Sequence, residues 1–421
     1  MRRGFSKNGL VAALDVGSTK TCCFIAREQV NGQARIIGIG QQASQGLKGG
    51  SIIGLDLAEA SVLNAVHAAE QMAGETIDRV IVNLSGGYPA SSSIGIEVMI
   101  DGHEVGEADL RRVLAQGQQH QHDGDEAESG RQTVHSIPTG YSIDGNRGIR
   151  DPLGMCGDQL GVNLHVVTAA SSAIRNLSAC IQRCHLDIAG FVVSPYASGL
   201  SCLVEDEMDL GVTVIDMGGG TTTISVFLEG NVIFTDLVPV GGSHVTNDIA
   251  RGLSTPIAHA ERMKTLYSHV MPMPADEQEM IDVPQVGEGD ENSSHQVPRS
   301  LLVGIVQPRL EETLELVRSR LEASGFDKVA GRRVVLTGGA SQLPGLRDLA
   351  SLILDKQVRI GRPTRVGGLA EATSGPAYAT CAGLLVYALG ADNPMPFEAR
   401  EEEKELEGLV GRLSHWFREH F

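Results

Sequence analysis

The sequence predicts an α/β protein of two related lobes that face one ligand. Its 421 residues exceed what a single hydrophobic core usually organises, so two or more lobes are expected. Apolar residues make up 42% and charged residues 20%, a composition typical of a globular chain. One pattern occurs twice, over 9–27 and 211–227: a strand, an aspartate, a glycine turn, hydroxyl residues and a second strand. Such internal similarity indicates two related halves.

Composition argues against several classes of protein. The 52 acidic and 34 basic residues give a net charge of -18, which disfavours general nucleic-acid binding because phosphate neutralisation needs clustered Lys and Arg. The seven cysteines are scattered and lack CxxC spacing, so neither a disulfide framework nor a zinc knuckle is expected. No apolar run approaches the roughly 18 residues that span a bilayer, and the run at 10–14 is too short for a signal peptide.

The first half of the chain divides into elements at glycine turns. Helical periodicity ending at a glycine predicts a helix at 57–73, and continuous apolar runs predict strands. The predicted elements are strands at 9–15 and 21–27, the helix at 57–73, a strand at 80–84, a helix at 174–185, a strand at 187–193 and a helix from 195 to about 203.

Residues 88–168 have a different texture and predict an inserted α+β subdomain. Alternating Ile94, Ile96, Val98 and Ile100 predict an edge-type strand, and 107–115 predicts a short helix. The tract 116–131 is rich in Gln, His and Asp, and we interpret it as a solvated loop.

The second half repeats the alternation of strands and helices. Residues 271–298 contain several prolines and an acidic patch, so much of this segment is predicted to be loop. The other predicted elements are strands at 211–216, 224–227 and 334–336, a long amphipathic helix at 301–321 and a small-residue helix at 377–389.

Three glycine turns, each directly after an apolar strand, indicate a phosphate-binding site. Segments 15–20 and 216–223 each combine an aspartate with glycines and hydroxyl residues, and 338–340 adds a third stretch of bare backbone. Backbone N–H groups on such turns approach phosphate oxygens, and carboxylates hold Mg²⁺, usually through water. One such turn alone is more often a tight turn that needs positive φ, but three in this order favour a nucleotide. No GxxxxGK[ST] motif is present, so the site is not a Walker loop.

Together these motifs resemble the superfamily of actin, sugar kinases and heat-shock chaperones. The similarity rests on Leu14-Asp15-Val16-Gly17-Ser18-Thr19-Lys20, Asp216-Met217-Gly218-Gly219-Gly220-Thr221-Thr222, Leu336-Thr337-Gly338-Gly339-Ala340 and Ser374-Gly375-Pro376-Ala377. Within the superfamily, the chain is most similar to the FtsA family of bacterial cell-division proteins. That narrower resemblance rests on 46–50 with Ile53 and Asp56, 135–138, 151–155, 241–250, and Ala260-Glu261 with Lys264, and it extends from about Leu10 to Phe421.

The resemblance implies an actin-like (ribonuclease-H-like) two-lobed α/β fold with a nucleotide cleft, an inserted α+β subdomain and a C-terminal amphipathic helix. The implied domains are the first-lobe core (IA) at 9–87, the inserted subdomain (IC) at 88–168, a return to IA at 169–208, the second-lobe core (IIA) at 209–241, the tip subdomain (IIB) at 242–303, IIA and a return to IA at 304–390, a linker at 391–405 and a membrane-targeting helix at 406–421.

The resemblance also implies a site for ATP and Mg²⁺. The implied nucleotide-binding residues are Asp15, Gly17, Ser18, Thr19, Lys20, Asp216, Gly218, Gly219, Gly220, Thr221, Thr222, Gly241, Gly242, Glu261, Lys264, Gly338, Gly339, Ala340 and Ser341. Asp15 and Asp216 would hold the Mg²⁺ through water. No catalytic residue is assigned, because the position of the glutamine that orients the attacking water in actin falls at Gly190. A glycine has no side chain to orient a water, so weak or regulatory ATP turnover is expected.

The last segment of the chain carries one apolar stripe. Leu406, Leu409, Val410, Leu413, Trp416, Phe417 and Phe421 recur at helical spacing, and Trp416 is the chain's one tryptophan. With a flexible acidic linker before it, the stripe predicts a helix in the plane of the membrane interface; a helix docked on its own domain is the alternative. The charges of the basic side chains in this segment are offset by acidic ones, so burial of apolar side chains would dominate lipid binding. Polymerisation would strengthen this binding by avidity.

The implied function is that of an ATP-binding cell-division protein that polymerises at the cytoplasmic face of the membrane, at the division site. It would anchor FtsZ filaments, whose C-terminal peptide binds the tip subdomain, and it would contact other division proteins through the inserted subdomain. One alternative is a phosphotransferase of the same superfold, a sugar or carboxylate kinase, which needs a catalytic base and no lipid-seeking tail. Another is an actin-like protein of cell shape or pilus assembly, against which the inserted segment counts.

Overall fold

The computed structural model describes residues 9–28, 34–124, 130–286 and 294–390. The strands are β1 (Leu10–Val16), β2 (Lys20–Glu28), β3 (Ala34–Ala43), β4 (Leu47–Lys48), β5 (Ser51–Ile52), β6 (Arg79–Leu84), β7 (Ala90–Met99), β8 (Arg131–Ile143), β9 (Asn146–Ile149), β10 (Gln159–Ala170), β11 (Asp187–Val193), β12 (Val212–Met217), β13 (Thr222–Leu228), β14 (Asn231–Val238), β15 (Met280–Pro284), β16 (Ser294–Pro298), β17 (Arg333–Thr337) and β18 (Gln357–Ile360). The helices are α1 (Leu55–Ala73), α2 (Glu107–Gly124), α3 (Ser171–Arg183), α4 (Ser194–Cys202), α5 (Glu205–Leu210), α6 (Gly242–Gly252), α7 (Ile257–Leu266), α8 (Arg299–Ser324), α9 (Leu346–Leu354) and α10 (Ala379–Leu389).

The two lobes have the same sheet topology. The first-lobe sheet runs β11-β6-β1-β2-β3, and the second-lobe sheet runs β18-β17-β12-β13-β14. In each lobe an antiparallel hairpin, β1–β2 or β12–β13, is followed along the chain by an antiparallel third strand. The hairpin's first strand then pairs in parallel with a later strand, β6 or β17. The predicted α/β fold of two related lobes is therefore confirmed.

Glycines allow helices to pack directly on neighbouring backbone. A Cβ built on Gly40 of β3 would lie 1.8 Å from the carbonyl oxygen of Ala65 in α1, so any side chain there would push the helix off the sheet. Between the lobes, a Cβ on Gly383 of α10 would lie 1.7 Å from the carbonyl oxygen of Ala197 in α4. The backbones of helices α4 and α10 are thus in direct contact, and this helix pair forms the base of the cleft.

An aromatic cluster joins the lobes beneath the cleft. The ring centroid of Tyr196 in α4 lies 6.0 Å from that of Tyr387 in α10 and 6.1 Å from that of Phe227 in β13 of the second lobe. All three side chains are buried. Such pairs add to the stabilisation from apolar burial, so the first and second lobes share one hydrophobic core at this point.

The inserted subdomain contains a four-stranded sheet in the order β7-β10-β8-β9, with α2 against it. The interpretation of 116–131 as a loop was wrong for its first part, because α2 continues to Gly124. Gly117 explains the continuation: its missing Cβ would lie 2.4 Å from Leu164 Cδ1 of β10, so the glycine lets a polar helix lie close to the sheet.

The insert also contacts the second lobe. Ser91 Oγ of β7 donates a hydrogen bond of 2.9 Å to the carbonyl oxygen of Thr235 in β14. His165 Nε2 of β10 lies 3.2 Å from Thr235 Oγ1. The insert therefore packs against β14 of the second lobe.

The segment 271–298 is more regular than the sequence predicted. It contains a 3₁₀ turn at Pro274–Glu277 and the antiparallel hairpin β15–β16. Ile281 and Val283 alternate inward and are buried. Pro284 and Pro298 stand at strand ends, where a missing N–H costs no ladder bond. The prediction of loop was wrong for these strands, because prolines at strand ends are compatible with pairing and the alternating apolar residues bury one face of the hairpin.

Within the described ranges, none of the helices combines the length and apolarity needed to cross a membrane. The linker at 391–405 and the apolar stripe at 406–421 lie outside the described residues.

Candidate functional site

A polar cavity of about 670 Å³ separates the two lobes. This volume is within the range of small-molecule sites. All three predicted glycine turns line it. The predicted residues in its lining are Asp15, Gly17, Ser18, Thr19, Lys20, Asp216, Gly218, Gly219, Gly220, Thr221, Gly338 and Gly339.

The first and second turns have the same hydrogen bond. Gly17 N donates to the carbonyl oxygen of Lys20 at 3.1 Å, and Gly218 N donates to that of Thr221 at 2.9 Å. Each bond closes a hairpin between antiparallel strands. The equivalence that the sequence indicated is therefore present in the backbone.

The two turns face each other at contact distance. A Cβ on Gly219 would lie 2.4 Å from Thr19 Cγ2, and one on Gly220 would lie 2.4 Å from Ser18 Oγ. Ser18 Oγ also accepts a hydrogen bond of 2.8 Å from Gly50 N, which fixes its position. Side chains on the second turn would collide with those on the first, so the second turn requires glycines.

The third turn lies against the carboxylate of the second. Gly338 has φ +84°, and a Cβ there would lie 2.4 Å from Asp216 Oδ1. Its N–H donates to the carbonyl oxygen of Pro376 at 3.2 Å, so it joins β17 to the start of α10. Gly338 is thus required for both its backbone conformation and its close approach.

Two buried carboxylates lie in the cavity, one from each lobe. The pKa of Asp15 is raised to about 7, chiefly by burial; Lys20 opposes the rise and the charge of Asp216 adds to it. Burial also raises the pKa of Asp216, against hydrogen bonds from Thr380 and Ser198. A cation between the lobes would favour both charged forms. In the described part of the chain, no three His, Cys, Asp or Glu residues form a metal-binding cluster.

Lys20 lines the cavity but is held on its wall. Its Nζ donates to the carbonyl oxygen of Ala377 at 2.8 Å and lies 3.3 Å from the ring centroid of Tyr378. The cation–π contact and the hydrogen bond connect β2 to the start of α10.

Seven predicted binding residues do not line the cavity: Thr222, Gly241, Gly242, Glu261, Lys264, Ala340 and Ser341. They lie behind the turns. Gly242 N donates to the carbonyl oxygen of Gly218 at 2.9 Å, and Lys264 Nζ donates to that of Gly242 at 3.2 Å and to Glu261 Oε2 at 2.7 Å. Ser341 Oγ donates to the carbonyl oxygen of Gly338 at 2.7 Å. These contacts hold the second and third turns in place.

Sequence reasoning missed several polar lining residues. They are Gln41, Asn83, Ser85, Ser194, Gln342, Arg362, Glu371, Ser374, Tyr378 and Thr380. Asn83 could have been found from the sequence, because it is a polar residue inside the apolar strand β6. Ser374 belongs to the Ser374-Gly375-Pro376-Ala377 motif of the superfamily resemblance but was not among the implied site residues, and the other loop residues had no local signal. Gly190, the expected position of the water-orienting glutamine, pairs with Ile81 inside the sheet and does not line the cavity.

Family models match two parts of the chain. Residues 213–383 match the model described as cell division protein FtsA, and residues 86–168 match the SHS2 domain inserted in FtsA. A cell division protein FtsA of Agrobacterium fabrum is 47% identical over 99% of this chain and 96% of its own length. One from Pseudomonas aeruginosa is 35% identical over 98% of both chains.

Solved structures share the fold at low sequence identity. The type IV pilus biogenesis complex PilM-PilN contains a chain with a TM-score of 0.63 and 16% identity, covering 90% of this chain and 98% of that one. MreB5 of Spiroplasma citri, solved bound to AMPPNP, has a TM-score of 0.54 and 11% identity, covering 96% of this chain and 99% of that one. The fold is therefore actin-like.

Proposed function

Because the chain belongs to the FtsA family of cell division proteins, we propose that it binds ATP, polymerises on the cytoplasmic membrane and anchors FtsZ filaments there. The observation that carries the nucleotide part is the pair of equivalent glycine turns that face each other across one polar cavity. Recruitment of later division proteins is part of the same proposal.

The cleft suits a triphosphate in several ways. Turns from both lobes present backbone at contact distance, and Ser18, Thr19 and Thr221 add hydroxyl groups to the lining. Lys20 supplies a positive charge on the wall of the cavity. A structural neighbour, MreB5, was solved with AMPPNP. We propose that the phosphates bind in the cavity against both turns, with the adenosine toward Gly338 and Gly339.

The carboxylates suit a water-mediated Mg²⁺. Asp15 and Asp216 would hold it from opposite lobes, consistent with the raised pKa of each carboxyl. Bound Mg²⁺ would neutralise charge on the phosphates. The chain's own contribution is to orient these carboxylates, Asp216 through a 2.9 Å hydrogen bond from Thr380 Oγ1.

The tip subdomain suits a peptide partner. Met271, Met273 and Met280 are exposed there, at 37%, 49% and 50% of their surface. Flexible methionine side chains adapt to peptide surfaces. We propose that the FtsZ C-terminal peptide docks on this part of residues 242–303.

The inserted subdomain would serve contacts with neighbouring subunits and other division proteins. It exposes the large apolar side chains Met99, Leu153 and Met155, and exposed apolar surface suits protein contacts. Membrane attachment is assigned to the stripe at 406–421, and filament formation would multiply its weak binding. The phosphotransferase alternative is not favoured, because the family match spans the chain.

The experiment is co-sedimentation with liposomes, comparing the full chain with one ended at Asn393, with and without ATP and FtsZ. We expect only the full chain to pellet and to carry FtsZ with it. The matched control replaces Trp416 and Phe417 with Glu in the full chain, which keeps the length and removes the apolar stripe. Lipid binding by the shortened chain or by this variant would contradict the proposal.

A further inference from the structure

A line of hydrogen bonds crosses the floor of the cleft beside the first turn. Val16 N donates to Asn83 Oδ1 at 2.6 Å, and Asn83 Nδ2 donates to Ser194 Oγ at 3.2 Å. Asn83 is 2% exposed and Ser194 is 5% exposed, and both line the cavity. The line therefore places a fixed hydroxyl group next to the position proposed for the phosphates.

The backbone around this line is rigid. The strands β1, β6 and β11 are neighbours and run parallel, with Leu14 opposite Val82 and Leu84 opposite Val193. Carboxyl ends of parallel strands meet at one edge of the sheet, where ligands bind. Ser194 begins α4 directly after β11, and Pro195 fixes the first turn of that helix.

The hydroxyl group of Ser194 has capacity left for a ligand. Asn83 occupies one acceptor position on Ser194 Oγ, which leaves one lone pair and the O–H. Among the described residues, no protein acceptor is recorded for that O–H. Ser201, on the same helix, instead donates to the carbonyl oxygen of Ala379 at 2.7 Å. Buried donors normally have a hydrogen-bond partner. A molecule bound in the cavity could be that partner for the Ser194 O–H.

We propose that Ser194 binds and orients the water that attacks the terminal phosphate of ATP, with Asn83 as the positioning residue; this rests on the proposed ATP site. The water oxygen forms a bond to the γ-phosphorus, and the bond from that phosphorus to the β–γ bridging oxygen breaks. ADP leaves with the electron pair of that bond, and a proton of the water passes to an oxygen of the released phosphate. The Ser194 oxygen accepts a hydrogen bond from the water, and its O–H donates to the phosphate.

This assignment explains how the chain can hydrolyse ATP without a glutamine at position 190. Gly190 lies in the sheet, paired with Ile81, and has no side chain to reach the cavity. Ser194 stands four residues later, on the cavity wall itself. A hydroxyl orients water but is a poor base, so turnover stays slow.

The test compares full-length Ser194→Ala, Ser194→Thr and Asn83→Ala with the unchanged chain. Three quantities are measured for each: the Kd for a fluorescent ATP, the single-turnover rate with radiolabelled ATP, and the retention of ADP with aluminium fluoride, a mimic of the in-line transition state. Ser201→Ala is the matched control, since it also removes a buried serine hydroxyl from α4 but one that does not line the cavity.

We expect Ser194→Ala to lower the single-turnover rate on the order of tenfold or more, to abolish aluminium fluoride trapping and to leave the Kd within about twofold. Ser194→Thr keeps the hydroxyl and retains activity. A fourth variant combines Ser194→Ala with Asn83→Ala, and we expect it to be no slower than Ser194→Ala alone, because both residues act on one water.

An unchanged rate in Ser194→Ala, or an equal loss in Ser201→Ala, overturns the inference. A chain that binds ATP but neither hydrolyses it nor traps ADP overturns the inference and leaves the nucleotide site intact. A chain that does not bind ATP at all overturns the proposed function, and the inference falls with it.

Discussion

The first and second turns have the same backbone hydrogen bond but opposite side-chain character. The first turn, Gly17-Ser18-Thr19-Lys20, carries polar side chains at its last three positions, whereas the second, Gly218-Gly219-Gly220-Thr221, carries one only at Thr221. The distances explain the asymmetry, because Cβ atoms on Gly219 and Gly220 would collide with Thr19 and Ser18. Two related halves of a chain can therefore diverge so that they fit together. One half carries the polar side chains, and the other carries the glycines that leave room for them.

The largest expected effect comes from adding a side chain to the second turn. Gly219→Ala places a methyl group 2.4 Å from Thr19 Cγ2 and 2.7 Å from Thr19 Oγ1, so the lobes must separate. We expect ATP affinity to fall on the order of tenfold or more, as overpacking typically costs about 1–3 kcal/mol.

Thr19→Gly should relieve that collision, since all three of the closest atoms belong to Thr19. The double variant Thr19→Gly with Gly219→Ala is expected to bind ATP more tightly than Gly219→Ala alone, as measured in fluorescent-ATP titrations. Gly304→Ala is the control, because that helix position has open space. Strictly additive losses would show that the turns do not contact each other in solution.

The next effect concerns the pH dependence of stability that Asp15 produces. The pKa of Asp15 is raised by burial from 3.8 to about 7, so the folded chain holds a proton that the unfolded chain releases. Its contribution to the free energy of unfolding is complete below about pH 4 and is lost as the pH rises through about 7. Without nucleotide and with EDTA present, thermal stability should therefore fall across this window.

Asp15→Asn should flatten that fall and stabilise the free chain at pH 7.5, while weakening ATP binding in the presence of Mg²⁺. Asp158→Asn, at an exposed aspartate, should leave the slope unchanged. The same slope in Asp15→Asn would show that another group titrates.

The smallest expected effect separates the lysine in front of the turns from the one behind them. Lys20 lines the cavity and Lys264 does not. Lys20→Met should weaken ATP binding about fivefold or more, whereas Lys264→Met should weaken it by less than about twofold, since charge-assisted contacts to phosphate are the stronger ones. Equal losses of ATP affinity in titrations would indicate that the nucleotide contacts both lysines, as the family resemblance implies.

The sequence was sufficient for the fold and for the three turns, because each turn is a local pattern of a strand, an acid and glycines. The sequence did not reveal contacts between residues that are far apart along the chain. Nothing local shows that Asn83 reaches Ser194, 111 positions away, or that Gly241 and Lys264 lie behind the second turn instead of in the cavity. Composition misled at 116–124, where a polar tract is helical because Gly117 fits against Leu164. It also misled at 271–298, where Pro284 and Pro298 stand at strand ends of a hairpin.

The most direct test of the two-turn cleft is a calorimetric titration of the full chain with ATP and with adenosine, both with Mg²⁺. We predict one ATP per chain, and adenosine at least about a hundredfold weaker, because the turns of both lobes contact the phosphates that adenosine lacks. No saturable ATP binding, or equal affinities for ATP and adenosine, would contradict the account.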